Sequence, residues 1–193
     1  MKNKEDFQFD AELFEVNFIE PCKEIFHDAC REIGRYYTAK GFKYFDSRPK
    51  VVYKDDIFKL EICFWSSSSN TPGRYVNLEI LPWISVKKLK AKGEKGIILG
   101  HTELFIVYDE DSVGNRNKTR LYQRNHNVFS LTQEGFDEII RTIDEGVLPW
   151  LEKLKTREGV KEMMDRYIYN FKGSTFEKYI QMYFPNLLAD SLQ

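Results

Sequence analysis

The sequence predicts an α+β fold: a mostly antiparallel sheet of about five strands, with an N-terminal helix and C-terminal helices packed on one face. Three patterns predict it. One stretch near the start has apolar residues at helical spacing, the middle alternates apolar and polar residues, and the last third returns to helical spacing behind capping signals. Strands that follow one another without intervening helices favour antiparallel pairing, with helices gathered to one side. The expected layout is one domain, 1–193, with a helix at 20–41, a sheet region at 42–129 and a helical region at 130–193.

Residues 1–19 are rich in Phe but lack a clean period, and are read as an arm or a short helix. From Pro21 the residues Cys22, Ile25, Phe26, Ala29, Cys30, Ile33 and Tyr37 form one stripe. Pro21 suits the helix start and Gly41 its end. "PKVVYKDD" reads as a strand running into a polar turn. "IFKLEICFW" alternates, with Phe58, Leu60, Ile62 and Phe64 on one face and Lys59, Glu61 and Cys63 on the other. "RYVNLEILPW" repeats the scheme until Pro82, which is expected to limit pairing there. "KKLKAKGEKG" at 87–96 reads as a basic connection, and "IILGHTELFIVY" and "TRLYQRNHNVF" as two further strands. "SLTQ" at 130–133 fits a capping box, with Ser130 at the cap. Gly146 and Pro149 interrupt the helix that follows, and "STFE" at 174–177 opens the last one.

The serine run "SSSSNTPG" lies between two alternating segments whose apolar residues all carry even numbers. Antiparallel partners have a constant position sum, and a shared inner face makes that sum even. A sum of 140 would set Glu61 against Glu79, so 138 is expected, pairing Lys59 with Glu79 and leaving about residues 66–72 as a loop. Pro72–Gly73 supplies its turn.

Composition narrows the function. Hydrophobic residues are 42% of the chain, charged residues 31% and aromatics 15%, a globular balance, and the formal net charge is −1. No global field draws the protein to nucleic acid or an anionic membrane. Three cysteines, an N-terminus without an apolar signal core and the lack of a spanning apolar run point to a reducing, cytoplasmic setting with no membrane partner.

Each motif with chemical potential has a plainer reading that the residues favour. The serine run lacks the Gly-Lys-Ser/Thr ending of a phosphate loop and the flanking glycines of a nucleophile elbow. None of His27, His101 and His126 aligns with it as a base. Cys22, His27 and Cys30 share a helix, but five and eight residues of rotation are about 140° and 80°, which separates them as ligands. "DEDSVGNRNKTR" has Val113 and Arg120 where calcium ligands belong. No metal or other cofactor is therefore expected, and no catalytic residue is assigned. The lysines at 87, 88, 90, 92 and 95, and Arg116, Lys118, Arg120 and Arg124 with Tyr122, could contact nucleic acid, but acidic neighbours dilute both groups.

The sheet's second face remains. Trp65, Tyr75, Leu81 and Trp83 surround Asn77, Glu61 and Lys59, giving apolar ends around a polar middle. The expected binding residues are Trp65, Tyr75, Asn77, Glu61, Glu79 and Trp83, in a non-catalytic module whose partner is a protein or a small molecule. Glu61 and Glu79 could alternatively act as a carboxylate pair in an enzyme.

Two stretches, "KGFKYFDSRPKVVYKDDIFKLEICFWSSSSNTPGRYVNLEI" and "DEIIRTIDEGVLPWLEKLKTREGVKEMM", resemble the bacterial domain-of-unknown-function family 4304. The shared features are a helix running into "GFK", a serine-rich turn and a "LP-x-L-x-K" break at Leu148–Lys153. Glu79 in "VNLEI" stands where members carry a glycine. The resemblance implies an α+β fold and a bacterial origin, and no chemistry.

Overall fold

The computed structural model describes residues 7–15, 19–93, 96–110, 116–166 and 173–190, by backbone alone at 107–110, 116–120 and 189–190. The architecture is α+β. Helix α1 (Cys22–Ala39) is followed by β1 (Lys43–Phe45), β2 (Lys50–Lys54), β3 (Phe58–Trp65) and β4 (Asn77–Val86). Then come α2 (Lys87–Ala91), β5 (Ile97–Leu99), α3 (His101–Phe105), β6 (Ile106–Glu110), β7 (Arg116–Arg120) and β8 (Asn125–Asn127). The helices α4 (Gln133–Gly146), α5 (Pro149–Lys153), α6 (Arg157–Arg166), α7 (Thr175–Tyr183) and α8 (Pro185–Asp190) complete the order.

Six strands form one sheet in the order β1-β2-β3-β4-β5, with β8 also paired to β4, and β6 and β7 form a separate antiparallel ribbon. The even-numbered residues of β3 and β4 face the core: Phe58, Leu60, Ile62, Leu78, Ile80 and Ile84 are fully buried. Each such side chain contributes about 1.5–3 kcal/mol of burial free energy. The expected alternation holds along β3, whereas on β4 the odd-numbered Asn77, Glu79 and Ser85 are buried as well.

Pro82 does not end β4. Even-numbered residues of this strand direct their N–H groups away from β3: Ile80 N donates to Arg124 O (2.9 Å) and Val86 N to Gly96 O (2.8 Å). β8 meets β4 at Asn77–Glu79 and β5 meets it at Ile84–Ser85, so Pro82 falls in the gap between the two partners. A missing donor costs nothing there.

The register of β3 on β4 also departs from expectation. Lys87 N donates to Ile57 O (2.9 Å) and Ser85 Oγ to Lys59 O (3.2 Å), a position sum of 144 and not 138. Lys59 thus meets Ser85 and not Glu79. On the other side of β3, Asp55 N donates to Phe58 O and Phe64 N to Pro49 O, a constant sum of 113 that closes the β2–β3 hairpin.

Four further features differ from the sequence reading. The basic connection holds α2, whose Leu89 is buried. The segment expected as one strand from Ile97 is broken at Gly100, where the Glu103 carboxylate accepts from Gly100 N (2.6 Å) and starts α3. β7 and β8 are likewise separate strands. The α4 cap is Thr132 and not Ser130: Thr132 Oγ1 accepts from Gly135 N (3.2 Å), while Ser130 turns the chain at φ 54°. The second box is as expected, with Ser174 Oγ accepting from Glu177 N (3.1 Å). The helical spacing read through residues 167–171, and the central part of the loop read at 109–118, lie outside the described residues.

The chain forms two compact units that share strands and one helix. The first comprises residues 1–53, 61–81 and 123–143; the second comprises 54–60, 82–122 and 144–193. In the first, α1 approaches β1 closely because residue 34 is glycine, and the N-terminal segment adds a 3-10 turn (Ala11–Phe14). Phe7 and Phe9 stack on Phe136 of α4 at 5.5 and 4.9 Å between ring centres. In the second, Tyr179 of α7 packs on Phe58 (5.6 Å), and its hydroxyl donates to Leu154 O. Among the described residues, no helix is long and apolar enough to cross a membrane.

Candidate functional site

The serine run is an ordered loop of the first unit. Thr71 and Tyr75 exchange backbone hydrogen bonds (2.8 and 2.9 Å) around Pro72–Gly73. Arg74 N donates to Thr71 O, and Gly73 has φ 72°, which glycine adopts without strain. Asn70 ties the loop to the sheet: its Oδ1 accepts from Asn77 N and its Nδ2 donates to Ser66 Oγ, both at 2.8 Å. Ser67 Oγ accepts from Ser69 N and lies 2.5 Å from Ser69 Oγ. These hydroxyls serve the loop's own geometry.

The loop's flanks hold five of the six expected site residues. Trp65 ends β3 and is 54% exposed, more than any other aromatic ring among the described large hydrophobics. Tyr75 OH donates to Asn77 Oδ1 (3.0 Å), and Asn77 Nδ2 reaches Asn125 Oδ1 (3.4 Å). Asn77 is nearly buried because β8 lies beside it, with Asn77 opposite Asn127, Leu78 opposite His126 and Glu79 opposite Asn125. Val76 N donates to Asn127 Oδ1 (3.0 Å), which also accepts from Phe129 N (3.1 Å).

The two carboxylates are each matched by a cation from a neighbouring segment. Glu79 pairs with Arg124 (2.7 Å) and Glu61 with Lys50 (2.8 Å). Arg124 Nε is buried without a hydrogen-bond partner among the described residues. The result is a row of amides, a phenol and compensated charges beside an exposed indole. Such a row can orient a ligand by hydrogen bonding. Each carboxylate is thus held by an ion pair with a residue outside the β3–β4 pair.

Sequence reasoning did not place Arg124, Asn125 and Asn127 in this site. The alternation in "NHN" was the available signal: it puts Asn125 and Asn127 on one face and His126 on the other. His126 is accordingly buried beside Leu78 with Nε2 3.1 Å from Gln123 O, and burial holds its pKa below the usual imidazole value. It serves no serine as a base from there.

The sixth expected residue, Trp83, belongs to the second unit and is half-covered there. Its ring lies over Gly100, where a Cβ would come within 2.8 Å, and edge-on to His101 at 5.4 Å. In the same unit Lys87 Nζ donates to Asp55 O (2.7 Å) and Lys88 Nζ sits 5.7 Å from the Tyr183 ring centre. These two lysines of the basic connection therefore have intramolecular partners. Cys30 is fully buried, which pushes its thiol pKa well up, and among the described residues no group of His, Cys, Asp and Glu forms a metal cluster.

No protein-family model matches the chain, and no curated protein or solved structure matches it.

Proposed function

We propose that the protein is a non-catalytic binding or interaction module of the bacterial cytoplasm, using the outward face of β3 and β4 in its first unit. The observation that carries this reading is Trp65. A large indole stands 54% exposed beside a polar row whose members are already oriented by one another. Exposed aromatic area next to pre-ordered hydrogen-bonding groups binds with little further loss of conformational freedom. Trp65 and the half-buried Tyr75 supply the contacts, the buried Asn77 and Glu79 with Arg124, Asn125 and Asn127 hold them in place, and Glu61 with Lys50 borders the face.

Trp83 is not needed for this reading, because the Gly100–His101 segment already covers part of its ring. The resemblance to the family 4304 stretches supports a bacterial origin and leaves the partner open. The test is native mass spectrometry of gently purified protein, wild type against the double variant Trp65→Ala, Tyr75→Ala. Loss of a bound species in the double variant supports the assignment. An identical set of bound species in both proteins removes it.

A further inference from the structure

We infer that β8 is an acid-released latch on the candidate site: protonation of His126 detaches the strand and withdraws Arg124, Asn125 and Asn127 from β4. The strand is short, three residues, and holds β4 through three residue pairs. It is flanked by the backbone bonds Ile80 N to Arg124 O (2.9 Å) and Val128 N to Val76 O (2.8 Å). Short edge strands open at low free-energy cost.

Alternation sends the side chains of Asn125 and Asn127 to the site and that of His126 to the core, opposite Leu78. His126 is 6% exposed. Its Nε2 faces a carbonyl oxygen, which only accepts, so the ring presents Nε2–H there and is satisfied in the neutral form. A second proton would place a positive charge against an apolar neighbour. Glu138 of α4 and the hydrogen bond to Gln123 O both favour protonation of the ring, but burial outweighs them. The charged ring is therefore better accommodated in water, and reaching water requires β8 to leave.

The consequence is local. Glu79 loses Arg124, Asn77 loses Asn125, and Val76 N loses Asn127 Oδ1. A folded-state pKa below that of the free imidazole means that the strand's attachment is complete above pH ~6.5 and weakens as pH falls below it. The effect on ligand binding rests on the proposed binding role; the release of the strand does not.

Amide hydrogen exchange of the ¹⁵N-labelled full chain between pH 7.5 and 5.0 tests this, with His126 titrated in the same samples and no ligand present. After correction for intrinsic exchange, protection of the Ile80 and Val128 amides is expected to fall as pH drops below the free-imidazole pKa, by at most about tenfold per pH unit, and to level off below the folded-state pKa. The Phe64 amide, bonded to Pro49 O in the same unit, should keep its protection. His126→Gln should abolish the pH dependence. If that variant does not fold, the wild-type titration decides alone. Unchanged protection of Ile80 and Val128 while His126 titrates overturns the inference, as does parallel loss at Phe64, which would signal global unfolding. Because no ligand enters the experiment, its failure leaves the binding role standing, and failure of the binding role leaves the latch standing.

Discussion

Replacing Asn70 by alanine removes the side chain that couples the serine loop to the sheet. Two hydrogen bonds are lost, one from Asn77 N and one to Ser66 Oγ. Asn77 is only 5% exposed, so its N–H is left buried without an acceptor, at a cost of about 1–3 kcal/mol. Ser66 is half-exposed, and water replaces most of its share. The expected loss is about 2 kcal/mol. Asn70→Asp keeps an acceptor for Asn77 N, and the Ser66 hydroxyl can rotate to donate to the new carboxylate. That variant should lose less than about 1 kcal/mol. Urea unfolding followed by far-ultraviolet circular dichroism reads both values, provided the dependence on denaturant is unchanged. Equal losses in the two variants, or an alanine variant within about 0.5 kcal/mol of wild type, would refute the claim that Asn70 organises the loop.

Gly34→Ala would set a Cβ 2.5 Å from the Tyr44 ring and should cost about 1–3 kcal/mol in thermal or urea unfolding. Adding Tyr44→Ala should make the glycine change nearly neutral, as a double-mutant cycle would show. Asp55→Ala removes the acceptor for Ile57 N (2.9 Å) and Phe58 N (2.7 Å) and the ion pair to Lys155 (2.9 Å), with an expected loss of about 2–3 kcal/mol at pH 7. Burial raises the Asp55 pKa, but the Phe58 N–H and Lys155 lower it further. The wild-type advantage should therefore be full above pH ~4 and shrink as pH falls below it, in urea midpoints measured from pH 7 to 3. Trp65→Ala should change stability by less than about 1 kcal/mol by the same assay, since half of its surface is already in water.

The parts of the fold that were legible in the sequence are those with long, regular patterns. Alternation over Phe58–Trp65 assigned the core face correctly because every even-numbered side chain there is apolar. The Cys22–Ala39 stripe marked α1, and Ser174 marked the α7 cap because the residue three positions on, Glu177, supplies the N–H that its hydroxyl accepts. Short elements were lost to longer patterns. Ile97–Tyr108 reads as one strand because β-branched and aromatic residues stand at both its ends, and the break depends on a single local bond from Gly100 N to Glu103. The choice between Ser130 and Thr132 as cap turns on a backbone angle that residue type does not reveal.

The site was half legible for a related reason. Trp65, Tyr75, Asn77 and Glu79 follow from alternation along two strands adjacent in sequence. Their partners Arg124, Asn125 and Asn127 come from β8 and the residue before it, about fifty residues later, and the alternation in "NHN" sets their faces without showing which strand β8 joins. Within β3 and β4 alone, charge pairing favours a position sum of 138. The structure instead compensates Glu61 and Glu79 from outside that pair, through Lys50 and Arg124. Avoidance of a like-charge pair was therefore too weak a constraint to set the register.

The central claim is that Trp65 belongs to an occupied surface in the cell. Hydroxyl-radical footprinting measures this directly, comparing Trp65 oxidation in purified protein and in concentrated lysate of the native cells. Leu121, 47% exposed in the second unit, serves as the internal reference. The account predicts ready oxidation of Trp65 in the purified protein and several-fold protection relative to Leu121 in the lysate. Equal oxidation of Trp65 relative to Leu121 in both samples would contradict it.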